Sequence, residues 1–255
     1  MKQQLPKLSV GNSKYEFSGQ RRLYKGTTVW QIKNSVSGEL GGWIEKEANL
    51  SYKGACWVKD EAIVCASARV SGGANISGQA IVADNAKVSD WSQVRDRAII
   101  NENANILGDA CVSGAAVISG SVQMSGGWVE GGAEVRGDTK VFGLASIGGN
   151  STVSGGAVYG NAKIYENAHV GGSSEIAGNV EIYGNAMVLG GRVNGAAVVC
   201  GNAEIHCGFV YAKAIVDGRA KILGEIIVKG DARLVDGIYK SGVFDGGVHN
   251  SQLRI

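Results

Sequence analysis

A small residue returns every six positions along this chain. From Ala62 it steps through Ala68, Ala74, Ala80, Ala86, Ser92, Ala98, Ala104, Ala110, Ala116 and Val122 without a miss. Two residues past each stands an aliphatic one, from Val64, Val70 and Ile76 to Val112 and Ile118. One five-residue step leads to Gly127, and the beat resumes at Ala133, Thr139, Ala145, Ser151 and Ala157. Another short step reaches Ala162, Ala168, Ser174, Val180 and Ala186, and the pattern fades after Ala232. The unit reads small-x-aliphatic-x-Gly-x. Alternation over three residues is a short strand with both ends facing in. The Gly and Asn that follow accept positive φ cheaply and make a turn.

So short a strand has no stability alone and needs copies of itself above and below. Three strand–turn units of six residues close a triangular coil of 18, with a parallel sheet of short strands on each side. A helix is excluded, since an apolar period of six builds no helical stripe and dense Gly opposes it. The chain has 40 Gly and a single Pro among 255 residues. With 44% hydrophobic residues it is too apolar to be disordered. The scarcity of Pro suits strands that must all donate hydrogen bonds to the next coil.

This unit resembles that of the hexapeptide-repeat, left-handed β-helix proteins, as in Val70-Ser-Gly-Gly-Ala74, over roughly residues 55–235. The resemblance implies an all-β, single-stranded, left-handed parallel β-helix of about ten triangular coils. A narrower stretch, "SGELGGWIEKEANLSYKGACWVKDEAIV" at residues 37–64, resembles the opening of the YdcK-like group within that fold. That group includes many phage and prophage proteins and is often labelled as acyltransferases by fold.

Residues 1–45 do not keep the beat. "KYEFSGQRRLYKGTTVWQIKNSV" alternates around "SGQ" and "KGT" and predicts two or three antiparallel strands that, with Trp30 and Trp43, cap the first coil. The expected division is an N-terminal cap at 1–45, the β-helix at 46–237 and a closing segment at 238–255.

The residue between the small and the aliphatic positions points outward, and every third unit shares a face. One face shows Ile63, Ile81, Ile99 and Val117; the second Arg69, Lys87, Asn105, Gln123 and Lys140; the third Asn75, Gln93, Cys111 and Trp128. Four β-branched residues in line make an outward ladder about 14 Å long, which a monomer seldom leaves wet. Either the N-terminal segment folds over Ile63–Val117 or that row is a subunit or partner interface. The basic ladder is diluted by Asn and Gln.

The net charge of +2 gives no reason to expect nucleic acid, and no apolar run is long enough to span a bilayer. The opening residues lack the apolar core of a signal peptide, so a cytoplasmic location is expected. Five cysteines at irregular spacing predict reduced thiols. Acyltransferases of the resembled fold work as trimers with acyl-coenzyme A between subunits, a catalytic His and a long interrupting loop. Here the steps between residues 62 and 235 are six or five, with no such loop. His169 falls on an outward strand position, His206 in a turn and His249 in the tail. Cys200 and His206 fall at successive corners of the coil, too far apart to share a metal. The expectation is therefore a rigid, non-enzymatic binding or scaffold protein, acting through its flat faces on itself or on a protein partner, possessing no cofactor and no metal. A phage factor that blocks a host protein is one case of it. The alternative is an acyl-coenzyme A-dependent acyltransferase using His169 or His206, with acetyl-coenzyme A as cofactor.

Overall fold

The computed structural model describes residues 6, 8, 9 and 11–250. The fold is all-β, with 46% strand, and its stacked parallel coils make a β-solenoid of about 12 turns. The chain divides into two compact units, Met1–Gly126 and Gly127–Ile255.

The first unit opens with β1 (Tyr15–Tyr24), β2 (Thr27–Asn34) and β3 (Leu40–Ile44), three antiparallel strands in succession. The β1–β2 register shifts between Phe17 and Arg21, where Gly19 has φ +90°. β3 is the joint between the two kinds of sheet. It pairs antiparallel with β2 (Trp30↔Ile44), and parallel with the first coil (Trp43↔Ile63, Ile44↔Val64). Gly41 and Gly42 lie at this crossing. A Cβ on Gly41 would sit 2.7 Å from the Ile32 side chain, and one on Gly42 would sit 2.6 Å from that of Val58. Only the bare backbone fits so close.

From Trp57 to Ile118 the strands shrink to two residues, the outward one and the aliphatic one, as in Ile81–Val82, Lys87–Val88 and Gln93–Val94. Within this unit the outward residues of the sequence reading stack in three hydrogen-bonded columns, Ile63–Ile81–Ile99–Val117, Arg69–Lys87–Asn105–Gln123 and, starting one coil earlier at Trp57, Trp57–Asn75–Gln93–Cys111. Each coil donates to the next, as from Ile63 N to Ala80 O and from Ile81 N to Ala98 O, both 2.9 Å. Small and aliphatic positions fill the interior; Ala62, Val64, Val88 and Val94 are wholly buried.

The corners are built by acidic side chains as well as by Gly. Asp84, Asp90, Asp96 and Glu102 adopt positive φ between 55° and 62°. Each turns its carboxylate onto the backbone N–H of the corner residue one coil further on. Asp90 Oδ2 accepts from Gly108 N and Asp96 Oδ2 from Gly114 N, both at 2.9 Å. That bond offsets the cost of a non-Gly residue in the left-handed region. The open end of the first coil is closed by two buried side chains. Tyr15 Oη lies 2.9 Å from Leu50 O, and Asn49 Nδ2 donates to Ala68 O at 2.9 Å.

The second unit repeats the design with shorter coils. Its columns include Glu134–Thr152–His169–Met187–Glu204–Lys221 and Lys163–Glu181–Val198–Ile215–Arg233. Here one sequence assignment is corrected. Ala157 is an outward residue paired with Glu175, and the buried partner of its strand is Val158. The small position is Gly156, where a Cβ would meet Ser174 O at 2.2 Å, so the short step falls between Ser151 and Gly156.

The count of about 12 turns exceeds the expected ten because parallel stacking starts earlier and runs later than the beat. It begins with Leu40–Ile44 and includes Val243–Asp245 and Val248–His249, which pair with Ile227–Lys229 and Arg233–Tyr239. Residues 251–255 of the tail lie outside the described residues.

Candidate functional site

The outward ladder of the first unit is the site that the sequence singles out, and the structure treats its members unequally. Ile63 is only 5% exposed and packs in a cluster with Val29, Trp43 and Cys65. The N-terminal sheet supplies Val29 and Trp43, so at this position the cap does fold over the ladder. Arg22 locks the cover: its guanidinium lies 4.2 Å from the Trp43 ring centroid and forms an ion pair with Glu61. The remaining three, Ile81, Ile99 and Val117, are partly exposed and stand in register on successive coils.

The tip of the β1–β2 hairpin, Tyr24–Thr27, forms a wall beside that row. Between wall and row runs a shallow groove of about 190 Å³ whose floor includes Cys65, Ala83 and Ile99. Its lining is mixed, with Lys25, Thr27, Asp84 and Asn101 beside the apolar residues. Burial first, then the Glu45 and Asp84 carboxylates, push the Cys65 thiol up to about 11, so it is not a nucleophile near neutral pH.

The histidines occupy separate places in the second unit. His169 is half-buried on its strand, between Thr152 and Met187 in the column. Burial, then the nearby Arg136, hold its imidazole below the usual 6.5, so it is neutral at pH 7. His206 is exposed in a turn with Nε2 3.4 Å from Glu204 Oε2. Glu204 lies two coils beyond His169, about 10 Å along the column. His249 Nε2 meets Gly246 O at 2.8 Å. Cys200 bonds with Tyr183, not with His206, and burial raises the thiols of both Cys200 and Cys207. Among the described residues no group of three His, Cys, Asp or Glu side chains could hold a metal ion.

The sequence offered a fold-over of the N-terminal segment as one alternative, but not the residues that make it at Ile63, Val29 and Trp43, which belong to antiparallel strands with no shared period, and it missed one further feature. A trough on the second face depends on residues that follow the aliphatic position, Ser71 and Ser89, and on Lys53 from outside the beat. An 18-residue comparison of every position, not only the strand positions, would have aligned the two serines. No protein-family model matches the chain, and comparison with curated proteins yields no match.

Proposed function

We propose that the chain is a rigid, non-catalytic scaffold that pairs with a second copy of itself through the Ile81–Ile99–Val117 row. The observation that carries this reading is the in-register stacking of three outward aliphatic residues on successive hydrogen-bonded coils. Such a row has the period of its own backbone, about 4.8 Å. A surface with matching period is the same row on another copy, and two rows related by a two-fold axis interdigitate along their whole length. The ladder backbone is already ordered, so little conformational entropy is lost when the faces meet. The finer assignment, to left-handed hexapeptide-repeat proteins and their YdcK-like group, is part of the same proposal and rests on the unit itself and on residues 37–64.

Light scattering on the full chain tests it. The wild-type chain should have the mass of an oligomer at micromolar concentration. Ile81→Lys with Ile99→Lys should weaken association by about a hundredfold or more, because four apolar side chains per dimer are exchanged for charged ones. Asn75→Lys with Gln93→Lys, on another face, should leave the mass unchanged. A monomeric wild-type chain, or a double Ile variant of unchanged mass, retires the interface.

A further inference from the structure

The second face of the first unit carries a different chemistry. Arg69 pairs in parallel register with Lys87, and Lys87 with Asn105. Both cations are exposed. Beside this row stand Ser71 and Ser89, each following a buried Val. The segment that leads into the first coil rises along one side and brings Lys53. Together these residues line a trough of about 630 Å³, a volume in the range of small-molecule sites.

What distinguishes the trough is that its cations are stacked on one another. Like charges directly opposite in a sheet destabilise it, and opposite charges stabilise it. The columns of the second unit follow that rule: Lys163 sits one coil from Glu181, Arg192 from Glu175 and Lys221 from Glu204, each as an ion pair. Arg69 and Lys87 break it, and among the described residues neither has a carboxylate within ion-pair range. One carboxylate, Glu47, also lines the trough, and it is engaged by three donors. Glu47 accepts from Ser9 N at 2.8 Å, Ser9 Oγ at 2.6 Å and Asn12 Nδ2 at 3.2 Å. Asp90 caps Gly108 N. Lys14 adds positive charge behind the wall, its Nζ 3.0 Å from Ser51 O.

We propose that this trough binds a phosphorylated small molecule, its phosphoryl oxygens taken by the Arg69 guanidinium and the Lys87 ammonium, with the Ser71 and Ser89 hydroxyls as further donors. Arg supplies a planar fork suited to two phosphoryl oxygens and Lys a point charge. Their separation along the column, about 4.8 Å, suits one phosphoryl group or a diphosphate. A nucleic-acid strand needs a longer cationic run, whereas this row turns neutral at Asn105 and Gln123. The site lies on a different face from Ile81 and Ile99, so its fate is independent of the self-association proposed above.

Calorimetric titration of the full chain with pyrophosphate at low salt tests the proposal. Expected is one site per chain, weakened by added salt. Arg69→Gln and Lys87→Gln should each lower affinity about tenfold, the loss of one charge-assisted contact. Lys87→Arg should retain binding, and Arg136→Gln in the second unit should change nothing. Circular dichroism and thermal midpoints establish that each variant is folded. No heat with pyrophosphate overturns the proposal, as does full affinity in the Arg69→Gln, Lys87→Gln double variant. A single-stranded oligonucleotide that binds more tightly than pyrophosphate, with a salt dependence of many phosphates, also overturns it and marks a nucleic-acid surface instead.

Discussion

Val94→Asp against Gln93→Asp is the sharpest test of the coil, because the two positions are adjacent on one two-residue strand and differ only in direction. Val94 is wholly buried and pairs in column with Ile76 and Val112, while Gln93 is exposed between Asn75 and Cys111. Losing the buried Val side chain costs about 1.5–3 kcal/mol. The carboxyl that replaces it finds no donor among aliphatic neighbours, which adds about 1–3 kcal/mol once it has taken up a proton. The sum, about 2.5–6 kcal/mol, rivals the whole stability of many domains. At Gln93 the same substitution stays in water and should cost no more than about 0.5 kcal/mol. Urea unfolding followed by circular dichroism reads both. The pH dependence adds a second signature. Burial raises the introduced carboxyl above its unfolded value, so the penalty is smallest below about pH 4 and grows as pH rises through the folded value. Equal midpoints for the two variants, or a Val94→Asp penalty indifferent to pH, would refute the inward assignment.

Two further outcomes follow from the corners and the cap. Asp96→Val should destabilise by about 2–3 kcal/mol, since it loses the bond to Gly114 N and sets a β-branched residue at φ +62°; Asp96→Gly should be nearly neutral, and urea midpoints that rank the two the other way contradict the corner account. For Glu47, burial is the largest influence and pushes its carboxyl up, but the bonds from Ser9 and Asn12 together hold it below its usual 4.5. Its contribution is therefore present above that value and lost as pH falls through the folded one. The stability difference between the wild-type chain and Asn12→Ala should shrink between pH 7 and pH 3, and a difference that grows on acidification would oppose this reading.

What the sequence could reveal followed from what repeats. The interior is a list of residues that recur, so Val88, Val94 and Ile106 were legible as core, and the outward columns came with them. The period failed where a residue is small for a local reason. Ala157 and Gly156 are both small, and only the close approach of Ser174 O decides which one faces in. It also failed where the chain leaves the period. Trp43 sits on the last strand before the two-residue coils, and nothing in its spacing tells that it covers Ile63 rather than capping the coil end. Lys53 escaped for the same reason.

Regularity of this kind also determines where specificity can be written. The second unit shortens some coils from 18 residues to 17, as between the bonded pairs Asn167–Asn185 and Asn185–Asn202, yet its outward columns stay in line. The missing residue is absorbed at a corner, so among the described residues the faces carry no inserted loop in which a site could be built. Specific recognition on such a fold must come from the identity of outward side chains. Those positions are free of the core constraint, and exposure to water favours polar residues or opposite charges one above another, as at Lys163–Glu181. Outward columns depart from that selection in both units: Phe209, Ile227 and Val243 stack on one another in the second, and two columns do so in the first. Ile81, Ile99 and Val117 present apolar surface to water, and Arg69 is stacked on Lys87. Stacked β-branched residues support the sheet itself, whereas stacked cations do not; facing water, both rows acquire a reason if something binds there: an apolar row for the first, an anion for the second.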